Sequence, residues 1–398
     1  MKDILIQAKS LKNKLVNIRR QLHMYPELGF KEFRTQQFII NQLKELKIPC
    51  KKIAKTGVVG LINENKVGKT IAVRADMDAL PIVEEGNKPY KSRSNGVMHA
   101  CGHDAHVTCL LGVAMLISEI KDRLNGKVKL IFQPCEENAT GIGGGELMVK
   151  EGVLENPKVN AIVALHVSPD FQSSVVGIKY GDMCANADKF EIKIKGIGSH
   201  AAKPHRSIDP IVTASAIVQN LQSIVSRNID PLDSAVVSIT TINAGSAFNI
   251  IPSELVMEGT VRTLNNMVKN KVKNLLEKIA VNTAKSFGAE CKVNYIEGYP
   301  AFANNDEITK IVELSAVELL GKKNIKILKN PSMGGEDFAF YVKKVPGSMF
   351  WLGVSNKRLK IVHPLHSAKF DIDEDALPIG VAILTKTCIN YLNEVEKI

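Results

Sequence analysis

Aromatic residues are scarce in this sequence: one tryptophan, seven tyrosines and thirteen phenylalanines make up 5% of its 398 residues. No arginine-rich stretch is interleaved with them, so the stacking and phosphate-binding surface of a nucleic-acid partner is missing despite a net charge of +11. The lysines behind that charge are scattered, as at Lys269, Lys271, Lys273 and Lys278, which is the pattern of a solvated face. Long hydrophobic runs are missing too. The longest, from Thr108 to Ile117, is about half of the roughly 18–20 residues that a membrane span needs. The opening MKDILIQAKSLKNKL has no unbroken apolar stretch of the signal-peptide kind. Paired CxxC cysteines are likewise absent. Cys50, Cys101, Cys109, Cys135, Cys184, Cys291 and Cys388 are odd in number and widely spaced, which argues against a disulfide framework. These absences predict a soluble, cytoplasmic chain with neither a membrane nor a nucleic-acid partner.

What is present is ordinary globular material, 45% hydrophobic and 23% charged, long enough for two or three domains. Up to about Met183, helix and strand signals alternate. Helices are expected at Asp3–Met24, Lys31–Leu46 and Ala105–Ile120, with strands at Val58–Ile62, Thr70–Arg74, Lys127–Gln133 and Ala161–Val167. Near-continuous apolar strands such as VKLIF and AIVALHV predict a mostly parallel sheet covered on both faces. The pattern then changes. FEIKIK at 190–195 alternates strictly, as a strand with one wet face does. After it come a helix at Asp209–Val225, strands at Ala235–Thr241 and Leu255–Arg262, a helix at Asn266–Phe287 and a strand at Cys291–Ile296. That β-α-β-β-α-β order is the ferredoxin-like unit. The α/β style returns with helices at Asp306–Leu320, Glu336–Lys344 and Glu374–Tyr391 around a strand at Ser348–Val354. The expected architecture is an α/β domain of residues 1–185 and 298–398, with a smaller α+β domain of residues 186–297 inserted in it.

Metal-ligand side chains gather at the predicted strand ends, where α/β sheets bind ligands. Asp76 and Asp78 follow the strand Thr70–Arg74, as loop caps or as support for a metal. His99, Cys101, His103, Asp104 and His106 fall within eight residues, and Gly102 lets the backbone bend so that Cys101 and His103 face one centre. His106, one turn into the next helix, reads either as a cap or as a support. Glu136 and Glu137 end the strand Lys127–Gln133; adjacent carboxylates point in different directions, so one can ligate while the other reaches a water. His166 ends AIVALHV, and the loop holding His363 and His366 can close such a site. Cys101, His103, Glu137, His166 and His366 exceed what one tetrahedral zinc needs, but suit two metals with a bridging water. The chemistry indicated is hydrolysis.

The sequence resembles the aminoacylase, carboxypeptidase and hippurate-hydrolase family of two-metal amidohydrolases, in the branch with a cysteine ligand. The likeness runs through HMYPELGF (23–30), VRADMDALPI (73–82), MHACGHDAH (98–106), IFQPCEEN (131–138), ALH (164–166), GSHAAKPH (198–205), NIIP (249–252), GTVRT (259–263), GGEDF (334–338) and HSAKFDIDED (366–375). It implies two divalent ions per subunit, zinc foremost with manganese or cobalt as alternatives. It further implies Glu136 as general base, Glu137 as ligand, and Asp78 and His200 beside the reacting atoms. Asn249 and Arg262 match binders of the substrate carboxylate, although Arg262 also reads as a structural strand residue. The inserted domain would act as a lid and pair subunits into a homodimer or homotetramer. Substrates would be N-acyl amino acids or short peptides with a free carboxylate; the alternative is a deacetylase dedicated to one N-acetylated diamino acid. Two departures stand out: Cys135 where a small residue such as Ala is usual, and Ser199 where relatives often carry Gly.

Overall fold

The computed structural model describes residues 4–138 and 141–393. Its larger sheet has eight strands in the order Cys50–Ile53, Gly57–Ile62, Gly126–Gln133, Lys69–Asp76, Ala161–Gln172, Gly347–Ser355, Val176–Ile178 and Ile325–Ile327. The four central strands from Gly126–Gln133 to Gly347–Ser355 are mutually parallel, and antiparallel pairs flank them. Alternate residues of these strands enter two different cores. Val73, Leu130 and Val163 pack on one face; Ala72, Ile131 and Ile162 pack on the other. That double burial is why the strands read as unbroken apolar runs rather than as alternation.

A second sheet of four antiparallel strands, Ala235–Ala244, Glu254–Thr263, Ala187–Lys195 and Glu290–Tyr299 in spatial order, has a core of its own. Phe190, Ile192 and Ile194 point into it, against Ile217 and Leu221 of helix Pro210–Ser223 and Val272 and Leu276 of helix Asn266–Ser286. The strand order and the two helices are those of a ferredoxin-like unit. Side chains of Asp209 and Asn265 cap the two helices by accepting from the Ile211 and Val268 N–H groups at 2.8 Å each.

Four strands form the rims of the two sheets, and they differ in charge. Cys50–Ile53 carries Lys51 and Lys52, Ile325–Ile327 carries Lys326, and Glu290–Tyr299 carries Glu290, Lys292 and Glu297. Ala235–Ala244 (AVVSITTINA) carries no charge. Charged rims resist pairing with another chain; an uncharged one invites it.

Several elements depart from expectation, and the helix Gly144–Lys150 and the strands Val176–Ile178 and Ile325–Ile327 are new. The first helix breaks at Leu11 into Ile4–Ser10 and Lys12–Met24; Asp3 lies outside the described residues. The expected helix Glu336–Lys344 shrinks to Ala339–Val342, because Glu336 and Asp337 are drawn into ion pairs with Arg74 before it starts. The lysine-bearing rim Cys50–Ile53 carries no apolar pattern and is new. Among the described residues no helix is long and apolar enough to cross a membrane.

Candidate active site

The parallel strands Lys69–Asp76, Gly126–Gln133 and Ala161–Gln172 deliver Asp76, the Glu136–Glu137 pair and His166 to one side of the sheet. The helix His103–Ile120 starts above them. Gly102, just before it, has φ +82°, and a Cβ there would meet Val167 Cγ2 at 2.4 Å. Only glycine allows this turn. It sends Cys101 and His103 into the same cup as His166.

Ligand-type atoms of Cys101, His103 and His166 lie within 4.8 Å of one another, as do those of Cys101, Glu137 and His366, and those of His103, Glu136 and Glu137. Cys101 Sγ is 3.6 Å from His166 Nε2. Glu137 Oε1 is 3.4 Å from His366 Nε2 and 3.9 Å from His103 Nε2. All five residues expected as ligands are thus brought together, whereas His363 is outside every such group among the described residues.

The donor set fits metal cations. His103 turns Nδ1 to the Asp78 carbonyl at 2.9 Å and to Asp78 Oδ1 at 3.2 Å, and His166 turns Nδ1 to the Val167 carbonyl at 2.8 Å. Each ring therefore donates from Nδ1 and turns Nε2 toward the cup. His103 Nε2 and Glu137 Oε1 are buried without a hydrogen-bond partner. Burial, with Glu137 and Glu136 alongside, pushes the Cys101 thiol well up, and burial beside Glu336 and Glu137 does the same to Glu136. Positive charge in the cup opposes both shifts.

Asp78, expected beside the reacting atoms, has both carboxylate oxygens engaged: Oδ1 faces His103, and Oδ2 accepts the Glu137 N–H at 3.0 Å. His106 donates from Nδ1 to Asp76 Oδ1 at 2.5 Å and accepts the Val167 N–H at 2.9 Å through Nε2. With both nitrogens engaged, it is a support. Cys135 (φ +50°) and His366 (φ +63°) hold left-handed backbone, which costs about 1–3 kcal/mol each and is kept only where the surroundings enforce it. Glu32 Oε1 accepts the Cys135 N–H at 2.8 Å, and the Ala100 carbonyl accepts the His366 N–H at 2.8 Å. The Cys135 thiol faces Gly29, where a Cβ would come within 2.6 Å of Sγ, and burial pushes this thiol up. It is packing, not a nucleophile.

Sequence reasoning missed two arginines. Arg74, fully buried, donates from Nη1 to Asp76 at 2.7 Å and from Nη2 to Asp337 at 2.8 Å, with Glu336 at 3.0 Å. Arg19, also fully buried, donates to Asp104 at 2.8 Å and to Asp371 at 2.9 Å. Their partners are up to 355 residues away, so no local pattern could announce them.

A cavity of about 440 Å³ opens onto the cup and is lined by Glu136, Arg262, Tyr299, Glu336 and Trp351 among others. Arg262 of the four-stranded unit therefore shares the cavity with the metal-ligand cluster. His200 and Asn249 do not. They line a separate, open pocket of about 750 Å³, where His200 Nδ1 accepts the Ala202 N–H at 3.1 Å.

A carboxyl-end cup with five soft and hard metal donors and a buried carboxylate beside them defines a metal-dependent hydrolase. The match to Peptidase family M20/M25/M40 covers residues 72–390, and the chain belongs to that family. It is 39% identical to Thermostable carboxypeptidase 2 of Saccharolobus solfataricus, over 97% of this chain and 98% of that one. It is 41% identical to N-acetyl-L-cysteine deacetylase of Bacillus subtilis, over 94% of this chain and 86% of the other. Among solved structures, a dinuclear metal-binding peptidase of Bacillus subtilis is 35% identical and superimposes with a TM-score of 0.81, covering 97% of this chain and 100% of that one.

Proposed function

We propose that the protein hydrolyses the amide bond of N-acyl amino acids, or releases C-terminal residues from short peptides, with a free carboxylate beside the cleaved bond. The observation that carries this is the buried Glu136 carboxylate next to His103 Nε2 and Glu137 Oε1, both buried without a hydrogen-bond partner, in one cup. Cys101, His103, Glu137, His166 and His366 would hold two divalent cations, zinc foremost, with manganese or cobalt as alternatives. When bound, these acidify the attacking water and polarise the scissile carbonyl. Glu136 takes the water's proton and returns it to the leaving amine. Asp78 keeps His103 and Glu137 in register, and Arg262 grips the substrate carboxylate in two-pronged fashion. The carboxypeptidase and deacetylase relatives support this substrate class.

His200 would stabilise the oxyanion and Asn249 would bind the carboxylate, reaching the cup by closure of the inserted unit or from a second copy. Residues 186–297 would form that unit, and 1–185 with 298–398 the catalytic one. The uncharged rim Ala235–Ala244 supports a homodimer, or a homotetramer built from it, through the inserted unit. A thiolate ligand suits the reducing cytoplasm.

The test is hydrolysis of a panel of N-acetyl and N-benzoyl amino acids and dipeptides after metal reconstitution, with chelator as control. Turnover across the panel is expected. One strong hit on an N-acetylated diamino acid would instead support a dedicated deacetylase, a reading that an N-acetyldiaminopimelate deacetylase relative keeps in view.

A further inference from the structure

Arg19 touches neither the cup nor the cavity, yet it ties together two segments that each carry a proposed ligand. It lies on the helix Lys12–Met24 with its guanidinium fully buried. Nε donates to Asp104 Oδ2 at 2.8 Å, Nη2 to Asp371 Oδ1 at 2.9 Å, and Nη1 lies 3.5 Å from Glu374 Oε1. Asp104 is the neighbour of His103 at the start of the helix His103–Ile120. Asp371 belongs to the segment that follows His366, and the His366 N–H is bonded to the Ala100 carbonyl.

The same cluster is closed on its other sides. His23 Nδ1 lies 2.7 Å from Asp104 Oδ2, and His23 Nε2 lies 3.2 Å from Glu84 Oε1. Tyr90 donates its hydroxyl to Asp371 Oδ2 at 2.9 Å, and its ring lies 5.0 Å from the guanidinium. A planar fork with donors in fixed directions sets the spacing of its two carboxylates, which an ammonium on a flexible stem does not.

We infer that Arg19 is a positioning residue, whose guanidinium fixes the distance between the helix bearing His103 and the segment bearing His366 and so sets the affinity for the second cation. The inference rests on the two-cation reading of the cup. Groups that hold ligands in place typically change metal affinity by about 10–100-fold when lost.

The experiment titrates metal-stripped protein with Zn²⁺ and Co²⁺. It reads stoichiometry by calorimetry and the environment of Trp351, the only tryptophan, whose ring lies 5.3 Å from that of His166. For Arg19→Lys, which keeps the charge but loses the fork, the second cation should bind about 10–100-fold more weakly, with kcat reduced and KM unchanged. Asp371→Asn, which keeps shape and loses one prong's charge, should fall in the same direction. Arg20→Met removes the ion pair to Glu374 and a contact on the Tyr90 ring, 4.6 Å away, from a side chain that is 42% exposed; it touches neither Asp104 nor Asp371 and should leave both cation affinities at the wild-type value. If Arg19→Lys does not fold, Asp371→Asn decides. A folded variant of either position with wild-type affinity for both cations overturns the inference. Wild-type protein that takes up a single cation would instead remove the two-cation reading itself.

Discussion

Around the metal cup, Asp76, Cys101, His103, Glu136 and His166 are buried and held by partners from distant parts of the chain. Away from the cup, His200 and Asn249 stand in the open on or beside a two-residue strand pair. The first region has its geometry built in, enforced by ion pairs such as Arg74 with Asp76 and Arg19 with Asp104. The second offers donors that no contact aims at the cup. Chemistry that needs fixed spacing is placed where burial makes misplacement costly, and the groups proposed to reach a substrate are left on an open surface.

The sharpest way to break the first region without disturbing its frame is Glu136→Gln. Activity should fall about 10²–10⁴-fold with cation content unchanged, as measured by steady-state kinetics and elemental analysis. A variant that turned over at the wild-type rate would end the proposed role of this carboxylate. His200→Ala probes the second region, with an expected loss of about 10²–10³-fold. Mixing inactive His200→Ala and Glu136→Gln chains separates the two routes: activity recovered in the mixture means that His200 works across subunits, and none means closure within one. Gly102→Ala attacks the turn that joins Cys101 to His103. It should cost about 1–3 kcal/mol in urea unfolding, because it combines a left-handed φ with a clash on Val167. The smallest effect is acid-dependent. Burial opposes ionisation of Asp371, but Arg19 and Lys88 outweigh it and hold its pKa at about 2, below the ordinary 3.8. A depressed carboxyl stabilises the fold above its unfolded pKa and loses that contribution as pH falls. Wild-type stability should therefore drop between pH ~4 and ~2, and thermal melts of Asp371→Asn should show a shallower acid limb.

Much of this is legible in the sequence. AIVALHV and VKLIF announced central strands, FEIKIK announced a half-wet one, and the five ligand candidates meet in space. What stayed hidden depends on distance along the chain. Arg19 and Arg74 look like surface residues until their carboxylates arrive from elsewhere. Asp78 carries no sign that its oxygens serve His103 and Glu137. The helix expected from Glu336 was lost to an ion pair with Arg74 that local periodicity cannot see.

The rims of the sheets carry one more consequence. Two copies joined along Ala235–Ala244 would each use up the other's uncharged edge, and association would stop at a closed pair. Lys51, Lys52 and Lys326 guard the opposite ends of the large sheet. Were those lysines replaced by valine, each copy would have a second adhesive margin facing away from the first. Growth would then have no stopping point, and the outcome would be filaments instead of a closed pair. In such a pair, part of the excess positive charge would work as a limit on assembly size.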